Sequence, residues 1–201
     1  MNYITQGGFI MYLLVLISII AIALIINRLR FYHRIKINSE ALLQKIIEYL
    51  KAGSPESAIT LCEEHDTPFT SVLKKGLLHY KEGPSAIEEA FQSQELREIP
   101  NLEKHLSILS TIASVSTLLG FTGTVTGMIK AFHNIAQEGA SSPSIVASGI
   151  SQALLTTAAG LLIAIPTVIF VRYFEAIVDK FINEIDIATH EIIRITKGEE
   201  K

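Results

Sequence analysis

The stretch that decides the fold is GFTGTVTGM at residues 120–128, which carries no charge. A second uncharged stretch, GISQALLTTAAG, follows at residues 149–160. Both are dense in Gly, Ala, Ser and Thr, whereas a simple lipid anchor needs only bulky apolar residues. In a membrane protein, this density indicates helices that pack closely on each other or that line a polar path through the bilayer.

Charge separates the chain into apolar and polar regions. The 201 residues are 49% hydrophobic and carry a formal net charge of -3. Lys, Arg, Asp and Glu are missing from residues 9–26, 106–129 and 147–171. Each of these segments has the roughly 20 residues that a helix needs to cross a bilayer core. The sequence therefore predicts an all-α integral membrane protein with three transmembrane helices.

The distribution of Lys and Arg predicts the orientation of these helices, because basic residues accumulate on the cytoplasmic side. Residues 1–8 contain neither, and the connection 130–146 contains only Lys130. Residues 27–105 and 172–201 hold nearly all the others. We expect the N-terminus and the connection to be periplasmic, and the loop and the C-terminal helix to be cytoplasmic. Basic residues follow the first apolar segment rather than precede it, so we expect a retained span and not a cleaved signal.

The cytoplasmic loop is predicted to be helical. Proline start signals and apolar periodicity indicate short helices at about 55–65 and 68–82 and a longer one from Pro84. Pro100 is expected to kink or restart that helix before the second span. After the third span the apolar periodicity continues, which predicts one long helix that extends from the membrane into the cytoplasm.

Small residues recur along one side of each of the last two spans. In the membrane such residues let helix backbones approach closely, so we predict helix-packing positions there. They are Gly120, Gly123, Gly127, Gly149 and Gly160. Pro166 lies within the third span and is expected to bend it, as a working hinge or as a static kink.

The same two stripes carry hydroxyl groups. Thr124, Thr156 and Thr157 are predicted to line a proton path, and the alternative for each is a role in helix packing. Gln152 lies near the outer end of the third span. Its amide is either pore-facing at the outer mouth of the path or satisfied against a neighbouring helix. It cannot carry protons in either case, because an amide does not titrate.

Other functional classes find no support in the residues. There is no nucleophile–base pair, phosphate-binding loop or metal-ligand spacing, and Cys62 is the only cysteine. Neither charged region has a basic stripe that would suggest nucleic acid. We therefore expect no catalysis, no cofactor, no metal and no nucleic-acid partner. Proton transfer at depth normally uses an ionisable side chain. Since the spans have none, a partner protein must bring one if this chain takes part in proton transfer.

Two long motifs carry a resemblance to a known family. Residues 118–132 match the pattern L-L-G-x-x-G-T-V-x-G-M-I-x-x-F, and residues 149–166 match G-I-x-x-A-L-x-x-T-A-x-G-L-x-x-A-I-P. In these motifs and in their order, the chain resembles the ExbB/TolQ/MotA family of inner-membrane proton-channel proteins. With three spans rather than four, it is most similar to the ExbB branch.

The resemblance implies a function and a set of partners. It implies a homopentamer in the lipid of a bacterial inner membrane, around a dimer of ExbD-like single-span proteins that supply a transmembrane Asp. Proton flow would act as in a stator, powering a TonB-like protein and transport across the outer membrane. Alternatives are a TolQ-like subunit for cell-envelope maintenance and a non-conducting membrane scaffold. The family's pore threonines correspond to Thr124 and Thr157. The chain departs from the family at Gln152, where Glu is common, and at Thr117, where Pro is common.

Overall fold

The structure is a computed structural model that describes residues 8–138 and 143–198. It divides into two compact units, which we name the apolar unit, Met1–Arg28 with His105–Tyr173, and the polar unit, Leu29–Lys104 with Phe174–Lys201. The described residues are overwhelmingly helical and include no strand. The predicted all-α fold is therefore confirmed. Of the predicted outer segments, residues 1–7 and 139–142 lie outside the described residues.

The described residues form seven α-helices and one short 3-10 helix. They are α1 (Gly8–Ile35), α2 (Ser39–Lys51), α3 (Pro55–Glu63), α4 (Pro68–Leu77), the 3-10 helix Tyr80–Glu82, α5 (Pro84–Glu103), α6 (Leu106–Glu138) and α7 (Pro143–Thr196). Three helical stretches are long and apolar enough to cross a membrane, and they contain α1, α6 and the first part of α7. This confirms the three predicted membrane-spanning helices.

The last helix is much longer than a membrane span. α7 has 54 residues, which corresponds to about 81 Å at the α-helical rise, whereas a bilayer core is about 30 Å thick. It contributes residues to both units, with the boundary after Tyr173. The third span therefore continues beyond the bilayer as one helix, as the apolar periodicity predicts.

In the apolar unit, most of the side chains that α6 and α7 bury are small, and most of their large side chains are exposed. The buried positions recur every three or four residues, at Leu106, Leu109, Ala113, Ser116, Gly120, Gly123, Gly127 and Ala131 of α6, and at Ala153, Thr156, Gly160, Ala164, Thr167 and Val171 of α7. Phe121 and Leu162, in contrast, are 66% and 74% exposed. We call the contact between the two buried stripes the seam.

The polar unit is built around aromatic side chains. Phe69 and Phe181 meet edge to face with ring centroids 6.4 Å apart, and Tyr32 lies 5.3 Å from Phe174. The Tyr32 hydroxyl donates a hydrogen bond of 2.8 Å to the carbonyl oxygen of Leu102. A buried tyrosine requires such a partner, so the aromatic core also fixes the end of α5.

The short helices of the polar unit begin at the predicted start signals. α3, α4 and α5 each begin with a proline in the first turn, where the missing N–H costs nothing. At the start of α4, Thr67 accepts from the backbone N–H of Thr70, and the Thr70 hydroxyl accepts from the backbone N–H of Thr67. This reciprocal capping satisfies two N–H groups that the helix leaves open.

The helix does not restart at Pro100, as one of the two sequence predictions has it, and a kink at Pro100 stays a prediction. α5 continues through Pro100 and ends at Glu103, and the chain turns at His105, whose φ is 70°. A proline inside a helix removes the hydrogen bond to the carbonyl of residue i−4, here Leu96. Leu96 lies at an exposed position, with 71% of its surface accessible, and the helix continues through the proline there.

Candidate functional site

At the centre of the seam, α6 and α7 approach each other so closely that only glycine fits. A Cβ atom at Gly160 would lie 2.5 Å from the carbonyl oxygen of Ser116 and 3.0 Å from the Cα of Gly120. A Cβ at Gly123 would collide with the Thr156 side chain. Real Cβ atoms essentially never come closer than 3.0 Å to such atoms. The backbones of α6 and α7 are therefore in direct contact here, as in small-residue contacts between membrane helices.

The close contact continues to the other end of α6. A Cβ at Gly127 would lie 2.9 Å from the Cβ of Ala153, and one at Gly149 would lie 2.7 Å from the Cβ of Ala131. A Cβ at Gly120 would lie 3.2 Å from the Thr156 carbonyl oxygen. All five glycines singled out in the sequence thus lie in the seam. Ala131 was not singled out, although its place four residues after Gly127 extends the same stripe.

Thr157 joins the two helices by a hydrogen bond. Its hydroxyl donates to the carbonyl oxygen of Gly120 at 2.9 Å, and the side chain is half-buried at the edge of the seam. Thr124 lies one helical turn after Gly120, also half-buried, and its hydroxyl donates to the Phe121 carbonyl of its own helix at 2.6 Å. The two threonines therefore share one edge of the seam, partly covered and partly open to a further partner.

Thr156 lies deeper than its neighbour. The side chain is 1% exposed, and its hydroxyl donates to the carbonyl oxygens of Ala153 at 2.8 Å and Gln152 at 3.2 Å, both in its own helix. Within the chain this geometry is that of a packing contact. A path-lining role for Thr156 remains a prediction. Adjacent residues differ by about 100° around a helix, and the sequence alone does not say which of Thr156 and Thr157 faces the partner helix.

Gln152 lies beside the first turn of α1. A Cβ at Gly8 would be 2.5 Å from Nε2 of Gln152, and the Gln152 side chain is half-buried. Sequence reasoning did not single out Gly8; the only signal was a glycine at the start of an apolar segment. Pro166 is exposed and lies within an uninterrupted α7, outside the seam, and its hinge role stays a prediction.

Hydroxyl groups on the open faces of α6 are satisfied by their own helix. Thr111 donates to the Ser107 carbonyl at 2.9 Å, and Thr122 donates to the Leu118 carbonyl at 2.8 Å. A hydroxyl that bonds four residues back is compatible with a lipid-facing or helix-facing position. These side chains therefore need no water. Thr157 differs from them because its hydroxyl donates to the other helix of the seam.

The titratable side chains of the polar unit form no reactive centre that we can identify. Burial raises the pKa of the Cys62 thiol to about 12, although Lys74 acts in the opposite direction. A thiol with such a pKa is a poor nucleophile at neutral pH. Among residues 8–138 and 143–198, no three His, Cys, Asp or Glu side chains are grouped to hold a metal ion.

Comparison with known proteins identifies the family. A sequence profile described as the MotA/TolQ/ExbB proton channel family matches residues 64–187, which is more than half of the chain. The chain belongs to this family. The match includes the seam, the two edge threonines and about half of the polar unit.

Individual relatives agree with this assignment. The biopolymer transport protein ExbB-like 3 of Synechocystis is 30% identical over 85% of this chain and 82% of its own length. The biopolymer transport protein exbB1 of Vibrio cholerae is 36% identical over 59% of this chain and 55% of its own length. The Tol-Pal system protein TolQ of Haemophilus influenzae is 44% identical over 36% of this chain and 32% of its own length.

These comparisons and the three apolar helices establish a multi-pass membrane protein of a proton channel family. The family is one of proton channels, and the matching relatives include proteins named for biopolymer transport. Relatives named ExbB and relatives named TolQ both match. Family membership therefore does not separate an ExbB-like from a TolQ-like role.

Proposed function

We propose that this chain is an ExbB-like subunit of a proton-driven motor in a bacterial inner membrane. It forms a homopentameric ring around a dimer of ExbD-like single-span proteins, and a TonB-like protein carries the resulting motion to transporters of the outer membrane. The N-terminus and the connection between α6 and α7 face the periplasm, while the polar unit lies in the cytoplasm. The chain binds membrane lipid and, on this proposal, needs no cofactor.

One observation carries the proposal: hydroxyl groups flank the seam in spans that contain no carboxylate or basic group. Thr157 and Thr124 lie at the edge of the seam, half-buried, and residues 106–129 and 147–171 lack Asp, Glu, Lys and Arg. A hydroxyl can donate to a carboxylate or hold a water molecule, but it does not titrate near neutral pH. The titrating group must therefore come from the partner, as a transmembrane Asp.

The relatives support the choice of branch. The match to the Synechocystis ExbB-like protein covers 85% of this chain, whereas the match to the Haemophilus TolQ covers 36%. The higher identity of the shorter match, 44%, keeps a TolQ-like role in envelope maintenance as the second candidate. A non-conducting scaffold would explain the seam but gives no role to the open edge threonines.

Purification with the partner tests the proposed assembly. The chain is expressed with an ExbD-like protein, with a TolR-like protein or alone, and the mass of each detergent-extracted complex is measured by native mass spectrometry. We expect a homopentamer that retains two copies of the ExbD-like chain. A monomeric chain, or one that retains only the TolR-like protein, would contradict the ExbB-like assignment.

Thiol labelling tests the proposed orientation, but Cys62 is unsuitable as the reporter because it is buried and its pKa is about 12. Ser93 on α5 is exposed, so Ser93→Cys in a Cys62→Ala chain gives an accessible thiol. We expect an impermeant reagent to label it only after the inner membrane is opened. Labelling in intact cells with a permeable outer membrane would place the polar unit in the periplasm.

A further inference from the structure

The exposed face of α1 changes from apolar to basic towards its C-terminal end. Ile19, Ile22 and Ile26 are exposed, and residues three or four apart lie on the same face of a helix. The next positions on that face, Arg30 and Arg34, are also exposed. One side of a single helix therefore presents bulky apolar side chains along the span and cations where the span ends.

The opposite side of α1 is packed. Leu14, Ala21, Ile25 and Tyr32 are buried there at helical spacing, and Arg28 lies among them with 3% of its surface exposed. The helix thus separates its arginines: it buries Arg28 and leaves Arg30 and Arg34 at the surface.

No carboxylate of the same segment balances these cations. Residues 1–39 contain no Asp or Glu. Arg30, Arg34 and Lys36 are exposed, and none of the three forms an ion pair within residues 8–138 and 143–198. We call these three residues the basic face of α1. Its positive charge is open to a ligand.

Two neighbouring features leave this charge in place. α5 ends near α1, where Tyr32 donates to the Leu102 carbonyl oxygen, and the charges of the following residues, Glu103 and Lys104, cancel. The last turn of α1 contains His33 and Arg34, and a cation there also complements the negative end of a helix. Arg30 precedes that turn, so the helix end does not account for it.

We infer that the basic face of α1 binds the headgroup phosphate of phospholipids with a net negative charge. A guanidinium matches a phosphate with paired N–H donors, and the exposed isoleucines of the same face contact the acyl chains. Each basic residue near a membrane surface strengthens the attraction to anionic lipid about fivefold. The site needs neither the ring nor proton flow. It rests on the proposed function only for the leaflet, which the proposed orientation makes the cytoplasmic one.

Native mass spectrometry of the detergent-solubilised full chain tests the site. Dioleoylphosphatidylglycerol and dioleoylphosphatidylcholine are titrated separately, and the ratio of their affinities is the lipid preference. The double variant Arg30→Gln/Arg34→Gln should reduce the preference for phosphatidylglycerol by about 10–30-fold. The matched control, Lys45→Gln/Lys197→Gln, removes the same charge from exposed positions on α2 and after α7, and we expect it to keep the preference. No preference in the unaltered chain, or equal losses in both variants, would overturn the site.

A soluble competitor separates a lipid from a free phosphate compound. Glycerol phosphate carries the headgroup phosphate without acyl chains, and we expect that it does not displace phosphatidylglycerol at equal concentration. Displacement at equal concentration would assign the basic face to a soluble anion and would overturn the lipid.

Substitutions at position 30 separate binding from helix stability. Arg30→Gln should lower the lipid preference about fivefold at an unchanged melting midpoint, and Arg30→Lys should retain most of it, since a cation remains. A lower midpoint with an unchanged preference would show that Arg30 serves the helix and would refute the site. The same spectra give the ring mass, so a chain that prefers phosphatidylglycerol but forms no ring contradicts the proposed assembly and supports the lipid site.

Discussion

The two units of this chain reach a packed state by opposite means. In the apolar unit, α6 and α7 meet through Gly, Ala, Ser and Thr and turn side chains such as Phe121 and Leu162 outward. In the polar unit, large side chains such as Phe69 and Phe91 are fully buried, and the charged side chains lie mostly at the surface. The contact of α6 and α7 in the apolar unit thus buries mainly small side chains, whereas the core of the polar unit buries large ones.

This difference follows from the solvent of each unit. In water, burying a large apolar side chain stabilises the fold by about 1.5–3 kcal/mol. In lipid the surroundings are as apolar as leucine, so helices gain little by hiding large side chains and more by close backbone contact. This difference therefore supports the assignment of α6 and the first part of α7 to the bilayer. Each prediction below would sharpen or break this contrast.

The largest effect is expected for the hydroxyl that crosses the seam. Thr157→Val keeps the shape but removes the donor to the Gly120 carbonyl and to any partner carboxylate. We expect loss of TonB-dependent growth in an intact ring, since an interhelical hydrogen bond in a membrane contributes only about 0.6 kcal/mol to stability. Thr124→Val should have a weaker effect on growth. Growth is measured on a TonB-dependent nutrient, and ring mass is measured in parallel.

Two other threonines provide matched controls for this experiment. The Thr122 hydroxyl donates to its own helix from an exposed position, and the Thr156 hydroxyl does so from a buried one. We expect Thr122→Val to grow normally, and normal growth of Thr156→Val would assign that hydroxyl to packing and not to the path. If Thr157→Val grew like these controls, the edge of the seam would not be the proton path. If Thr156→Val alone failed, the lining would be on the seam side instead.

Truncation of a large core residue should be costly only in the polar unit. Phe91 is 1% exposed and lies against Gly76, where a Cβ would be 2.7 Å from its ring. Phe91→Ala should destabilise the polar unit by about 3–5 kcal/mol, measured by limited proteolysis against denaturant. Leu96→Ala on the same helix, at a 71% exposed position, should change stability by no more than about 0.5 kcal/mol. Equal effects would mean that α5 does not pack as described.

Enlargement of a small residue should be costly only in the seam. Gly160→Leu would place a side chain where a Cβ alone comes within 2.5 Å of the Ser116 carbonyl oxygen. We expect a loss of about 1–3 kcal/mol from overpacking, seen as separation or aggregation of the detergent-solubilised chain. Ala158→Leu adds a similar side chain at an exposed position of the same helix and should be tolerated. A stable Gly160→Leu chain would show that α6 and α7 do not approach this closely.

The sequence predicts the helices of this protein better than their contacts. Charge-free segments and proline start signals locate the spans and the starts of α3, α4 and α5, because both are local properties of the chain. The end of α5 was harder to predict, since the cost of Pro100 depends on the exposure of Leu96. The exposure of Leu96 depends on the tertiary structure, so a rule based on the sequence alone does not predict whether a helix continues through Pro100.

The same limit applies to the candidate site, where the residues can be predicted from the sequence but their contacts cannot. Helical spacing brings the five glycines to one side, but the face each threonine presents depends on how α6 and α7 are rotated against each other. A difference of one residue separates buried Thr156 from half-buried Thr157. The contact between Gly8 and Gln152 joins residues far apart in the chain, and neither one alone carries a signal for it.

The smallest effect is expected for a carboxylate of the polar unit. Burial raises the pKa of Glu95, and the nearby Asp186 raises it further. A carboxyl group with a raised folded-state pKa opposes folding once it ionises. Stability therefore falls as the pH rises from the unfolded-state pKa to the folded-state pKa, and it is constant above that.

Glu95→Gln should therefore stabilise the polar unit slightly near neutral pH, and the gain should vanish below about pH 4.5, the ordinary pKa of Glu. Because Glu95 is half-buried and not fully buried, screening by solvent keeps the effect small. Denaturant midpoints across pH measure it, with Glu88→Gln at an exposed position of α5 as the control. A loss of stability near neutral pH that shrinks towards acid pH would instead place Glu95 beside a positive charge.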